Sequence, residues 1–365
     1  MLRFILVAAA LLFNFSCTRT NYDEHVNMYV VNDNDTTISC FNIDYKGNLF
    51  DRETVTLPGG TAGQMFMQIH PNNKFVYVQL ATGSGGTYAV YKARDDGTFS
   101  SYNVFTNPAR GSYYFGIYSE WSHFFHPDGK WHTCVNGDNT AVYFDSINQD
   151  TGELTQLSST GTNNWPNSSI INPNGKYFYV FCFASSSYLV YTISDTGTVA
   201  NIVNTSWSGS YSPPHSCVIH PSENFLYGVN VSDNNMWLVP ILGGGANLDN
   251  AAKTYYTTMT GTNHGIYMHP NGKFIYTIVN TTIFGFSINQ STGVLTSIGT
   301  CVLSAAPALA VFHPDGNWMY VTHPSTNSVS ILDVNNSTGT ITFNRSITVG
   351  NNPNYIAIAL VSSER

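Results

Sequence analysis

Six near-copies of one phrase run through the sequence: "IHPNNKFVYV" from Ile69, "FHPDGKWHTCV" from Phe125, "INPNGKYFYV" from Ile171, "IHPSENFLYGV" from Ile219, "MHPNGKFIYTI" from Met268 and "FHPDGNWMYV" from Phe312. The residues that open the embedded turn are His70, His126, Asn172, His220, His269 and His313, at intervals of 56, 46, 48, 49 and 44 residues. A period of this length is one supersecondary unit copied along the chain, and such units bury their apolar faces only against their neighbours. The fold is therefore a ring or a stack of like modules.

Each copy follows one grammar. An apolar strand approaches the turn, Pro presets φ at its first central position, and in most copies Asn or Asp and then Gly complete the reversal. A strand of alternating aromatic and β-branched residues leaves it. A third run follows, such as "SVSILDV" (Ser328 to Val334) or "IFGFSI" (Ile283 to Ile288), and then a second turn. That turn reads "TGEL" from Thr151, "TGTV" from Thr196, "TGVL" from Thr292 and "TGTI" from Thr338, with looser forms "KGNL" from Lys46, "DGTF" from Asp96 and "GGGANL" from Gly243. Seven outer turns thus accompany six inner ones. The chain ends supply the difference: "NPNYIAIAL" from Asn352 reads as an inner strand with nothing behind it, and "VNMYVVNDNDTTISCFNID" from Val26 as a unit lacking its inner strand. The sequence therefore predicts an all-β, seven-bladed β-propeller of four-stranded antiparallel blades, its ring closed by pairing the N- and C-terminal strands in one blade. A solenoid would leave those complementary halves unexplained.

With the segment "YVTHPSTNSVSILDV" (Tyr320 to Val334), the recurring inner and outer turns resemble the YVTN repeat and the seven-bladed propellers of the 6-phosphogluconolactonase-like lactonase family. The resemblance covers nearly the whole mature chain. It implies the blade architecture strongly and the activity weakly, because one propeller scaffold carries many unrelated sites.

Composition narrows the partners. Only 10% of the 365 residues are charged, against about 25% in an average domain, while Asn, Ser, Thr, Gly and Tyr abound. The net charge of -8 is scattered without a run of like charges, which excludes nucleic acid as a partner. The N-terminus, "MLRFILVAAALLFNFSCTRT", has one Arg, an apolar run too short to span a bilayer, and a small residue before Cys17. This layout predicts a signal peptide over 1–17, lipidation at Cys17, a short tether over 18–25 and one propeller domain over 26–365. The protein is then exported, as an outer-membrane or cell-surface lipoprotein or into the periplasm, and meets the membrane only through its lipid. The remaining Cys40, Cys134, Cys182, Cys217 and Cys301 are odd in number and lack metal-ligand spacing, so they read as buried free thiols.

In a four-stranded meander the inner and outer turns share one face, whereas loops between second and third strands and between blades share the other. The turn residues His70, His126, His220, His269 and His313 are then structural, and function belongs to the opposite face. There the longest connection, "NPARGSYYFGIYSEWSH" (Asn107 to His123), carries Arg110 and Tyr114, and "TNNWPN" and "TSWSGSYSPPH" bring Trp165, Trp207 and Tyr211. Aromatic faces beside amides suit a sugar-like or otherwise flat, polar ligand. Five residues before each turn lies the mouth of an inner strand, which places Trp121, Asn167, His215 and His264 in consecutive blades, and Asn354 in the closing one. His123 and Glu120 flank Trp121.

Three uses of this cluster are open: a hydrolase in which His215 or His264 serves as base with Glu120 as orienting acid, a metal site on His123, His215 and His264, or a binding surface. No short ligand spacing supports a metal, and no cofactor is expected. Lactonases of the resembled family imply a Pro-Arg-His run at an inner-strand mouth, the Arg stabilising an oxyanion. Here the matching positions read Pro214-His215-Ser216, Asn263-His264-Gly265 and Pro307-Ala308-Leu309, with Arg110 the nearby substitute. The leading expectation is thus a module that binds a small neutral or sugar-like ligand, or an envelope or surface protein. A lactone hydrolase using His215, His264 and Glu120 is the alternative.

Overall fold

The computed structural model describes residues 24–59, 66–80, 87–106, 123–136, 140–208, 212–230, 235–256 and 261–362. They form seven antiparallel sheets arranged as the blades of one propeller. Blade 1 combines both chain ends: its inner strand is Pro353–Ser362, followed outward by Glu24–Asn32, Thr37–Ile43 and Leu49–Thr56. Glu24 pairs with Ser362 and Asn32 with Pro353, so the expected ring closure is present. The first strand begins within the segment expected as a tether.

Blades 2, 3 and 4 start with inner strands Met67–Ile69, His123–Phe125 and Pro166–Ile171, and blades 6 and 7 with Asn263–Met268 and Ala310–Phe312. Blade 5 starts with Ser216–Ile219 and departs from the pattern at its rim. There Asn247–Leu248 and Thr254–Tyr256 both pair with Met236–Leu242, because three successive glycines replace the usual Thr-Gly turn.

Burial explains the sequence pattern. Second and third strands lie between two other blades, so both of their faces are covered and they read as continuous apolar runs; Phe274–Val279 is buried throughout. Outer strands present one face to water, as in Ile341–Thr348, where Ile341, Arg345 and Ile347 are half-buried and the other residues exposed.

Two sets of hydrogen bonds stitch blade to blade. The turn histidines donate from Nε2 to the turn glycine of the next blade: His70 to Gly129 O (2.7 Å), His126 to Gly175 O (2.9 Å), His220 to Gly272 O (2.9 Å) and His269 to Gly316 O (3.0 Å). The turn requires glycine: Gly129 has φ 71°, and a Cβ there would lie 2.7 Å from the His70 ring. Tyrosines on second strands bond the next blade's outer turn, as in Tyr77 to Gly152 O, Tyr227 to Gly293 O and Tyr276 to Gly339 O, each 2.7 Å. The repeated "HP" and "Y" of the sequence phrase are thus interblade connectors. Cys40, Cys134, Cys182 and Cys217 are buried and free, while Cys301 is half-buried on an outer strand.

Candidate functional site

All seven inner strands run in the same direction around the axis, so their N-terminal ends meet on the face opposite the histidine turns. Two of the expected histidines come to adjacent blades there. His215 precedes the inner strand of blade 5, its N–H bonded to Val229 O (2.9 Å), and His264 lies in the inner strand of blade 6. The Ser216 hydroxyl accepts the Ile266 N–H (3.3 Å), tying the two mouths together.

The local geometry around His264 is set by a break in pairing between Asn263 and Ile266. Gly265 adopts φ 120°, its N–H bonds Asn263 Oδ1 (2.8 Å), and Asn263 Nδ2 donates to Thr277 Oγ1 (2.8 Å). Thr277 in turn donates to Gly265 O (2.9 Å). This closed network holds the bulge, so His264 remains half-buried at the mouth.

The His215 ring is buried against Phe183, ring centroids 5.0 Å apart. Burial pushes its imidazole down to about 4, and a hydrogen bond with the Asn230 side chain opposes this only in part. Asn230 is itself buried and donates to Pro213 O (3.0 Å). Burial also lowers His264. Both rings are therefore neutral at pH 7 and able to accept a proton.

The other expected residues separate. His123 is buried between blades 2 and 3, packed on Phe66 (5.0 Å) with Nε2 3.8 Å from Cys134 Sγ. Trp207 is a core residue, edge-on to Phe181 (5.7 Å) and Trp237 (5.8 Å), with Lys253 Nζ 3.9 Å over its ring. Trp165 is 63% exposed immediately before the inner strand of blade 4. Asn354, half-buried in blade 1, donates to Asp33. The Asn167 backbone lies in the inner strand of blade 4, and its side chain is outside the described residues, as are Glu120, Trp121, Arg110, Tyr114, Tyr211 and Cys17.

Three groups went unnoticed in the sequence. Asp33 is a buried carboxylate beside the blade 1 mouth. His323 is buried in blade 7 and bonds Ser330 Oγ (2.8 Å). In blade 3, His132 Nδ1 donates to Asp145 Oδ2 (2.9 Å) with both side chains buried. The signal for this last pair was present: "KWHTCV" places His and Thr where other copies have an apolar residue and Tyr. Among the described residues no Lys or Arg lies in an inner strand, and no group of three or more His, Cys, Asp or Glu is arranged to hold a metal.

Comparison with known proteins agrees with this architecture. Residues 218–358 match the family model described as Lactonase, 7-bladed beta-propeller. The 6-phosphogluconolactonase of Yersinia pestis (strain Pestoides F) is 22% identical over 342 residues, covering 91% of this chain and 97% of the relative. That of Yersinia pseudotuberculosis serotype O:3 (strain YPIII) matches to the same extent. Among solved structures, the periplasmic gluconolactonase of Pseudomonas aeruginosa superposes with a TM-score of 0.71 at 13% identity, over 92% of this chain and 99% of that one. A protein from Lactobacillus plantarum does so with a TM-score of 0.72 at 13% identity and the same coverage. By its topology the chain is a seven-bladed β-propeller, similar over residues 218–358 to the lactonase family model and over most of its length to the 6-phosphogluconolactonases.

Proposed function

We propose that the protein is a lactone hydrolase acting on a cyclic sugar lactone of little negative charge. The observation that carries this is the pair of neutral imidazoles, His215 and His264, at adjacent mouths of a propeller whose relatives over 91% of the chain are 6-phosphogluconolactonases. His264, half-buried at the mouth where His215 is buried, is the better placed general base, because a base must reach the attacking water. It takes a proton from water as the oxygen attacks the lactone carbonyl. The tetrahedral intermediate then collapses with cleavage of the ring C–O bond, and the imidazolium returns its proton to the leaving alkoxide, giving a hydroxy acid. Asn230 holds the His215 imidazole in place, and His215 orients the lactone by a hydrogen bond. The absence of Lys and Arg from the described inner strands argues against a phosphorylated substrate.

A purely binding role would use the same groups, yet neither the fold nor the relatives favour it over turnover. The protein works outside the cytoplasm in this reading, anchored by lipid at Cys17. The test compares hydrolysis of glucono-δ-lactone and 6-phosphoglucono-δ-lactone by the purified chain. The neutral lactone is expected to turn over faster, and His264→Gln to lower kcat by about 10²- to 10⁴-fold. Failure to hydrolyse either lactone would overturn the proposal. In the same preparations Cys17→Ser is expected to move the activity from the membrane fraction to the soluble one.

A further inference from the structure

We propose that Trp165 is the stacking platform for the sugar ring, the residue that sets preference for a cyclic polyol lactone; this rests on the hydrolase reading above. Trp165 has φ 55°, a left-handed backbone that costs a bulky side chain strain. The other described non-glycine residues with positive φ are Asn, Thr, Ser or Glu. Trp165 is also 63% exposed, so no core packing compensates for the strain.

The repeat provides an internal control. Trp165 O accepts the N–H of Phe183 (2.9 Å), the residue just after the second strand of its blade. In blade 1 the same bond runs from Asp33 N–H to Asn352 O (3.0 Å), and Asn352 has φ 57°. Blade 1 thus places a left-handed residue here and fills it with Asn, which tolerates that conformation, whereas in blade 6 the same bond, from Asn280 N–H to Thr262 O (2.8 Å), is accepted by a residue that is not left-handed. Blade 4 fills it with tryptophan.

The surrounding loop is held firmly. Asn163 Nδ2 donates to Ser187 Oγ (2.8 Å) and Asn204 Oδ1 (2.7 Å), Asn204 Nδ2 returns a bond to Asn163 Oδ1 (3.1 Å), and Ser185 Oγ donates to Asn164 O (3.3 Å). A loop held by these bonds thus presents an indole to solvent immediately before the inner strand of blade 4. The connection to the chemistry is short: Phe183, bonded to Trp165 through its N–H, packs its ring on His215 at 5.0 Å. An indole at that place covers the C–H face of a pyranose-type lactone and leaves its hydroxyls and carbonyl to the polar groups of the mouth.

Trp165→Asn and Trp165→Phe test the idea. The Asn variant is expected to raise KM for glucono-δ-lactone about tenfold with kcat within about twofold, and to raise Tm by about 2–4 °C as strain is relieved. The Phe variant is expected to restore KM. An unchanged KM in Trp165→Asn, no rescue by Phe, or a fall in Tm would overturn the proposal. If the wild type hydrolyses no lactone, the hydrolase reading fails, and the platform is read separately by titrating tryptophan fluorescence with methyl β-D-glucopyranoside. A saturable change lost in Trp165→Asn supports the platform, and none in the wild type overturns it.

Discussion

At the scale of single residues, burial decides what each histidine can do. Turn histidines bond a carbonyl of the next blade, whereas His215 is enclosed by Phe183 and held near pKa 4. Because its folded pKa lies below the ordinary value of 6.5, the unfolded chain binds the extra proton first. Stability from the neutral ring is therefore complete above about pH 6.5 and is lost as pH falls from there towards 4, by about 3 kcal/mol in all. Thermal melts across that range are expected to show a fall in Tm that His215→Gln flattens. An equal fall in the variant would assign the loss to other groups. His215 and His264 were legible as mouth residues because the turn spacing sets their place on the strands. The burial of Trp207 and His123 was not, because equal distance from a turn does not say whether a side chain faces the axis or the neighbouring blade.

At the scale of the element, the seven blades are near-copies, and a departure in one can be read against the other six. The equivalent cross-strand pair of the second and third strands is Met28 with Phe41, Val76 with Tyr91, Phe178 with Tyr191, Leu226 with Val239, Ile275 with Phe286 and Met319 with Leu332. Blade 3 alone has His132 with Asp145, buried and 2.9 Å apart. Removing one partner of a buried polar pair leaves the other desolvated, whereas an apolar pair of similar volume fits the site. Asp145→Leu is expected to destabilise by about 3–5 kcal/mol, and His132→Met with Asp145→Leu to recover most of that loss. Denaturant unfolding of the four-member mutant cycle measures this. A double variant no more stable than Asp145→Leu would show that the pair has a role beyond holding the seam.

At the scale of the whole molecule, ring closure makes stability depend on both chain ends. Deleting residues 353–362 removes the inner strand of blade 1 and exposes the edge of Glu24–Asn32. The truncated chain is expected to lose cooperative unfolding in circular dichroism. A permutant that joins Glu24 to Ser362, neighbours in the sheet, and opens the outer turn at Gln290–Gly293 is expected to keep it. Survival of the truncated chain as a cooperative unit would show that the closing strand is dispensable.

Architecture was determined by the sequence alone, because blade number, closure and strand order follow from the spacing and chemistry of local turns, and those are encoded within a few residues of one another. Which side chains share a site was decided only by tertiary structure. Whether a histidine meets solvent, a phenylalanine ring or the next blade depends on the rotation of neighbouring sheets about a common axis, and no local pattern in the chain specifies that rotation. The packing of His215 on Phe183 of the neighbouring blade depends on it, whereas His132 with Asp145 follows from strand pairing within one blade.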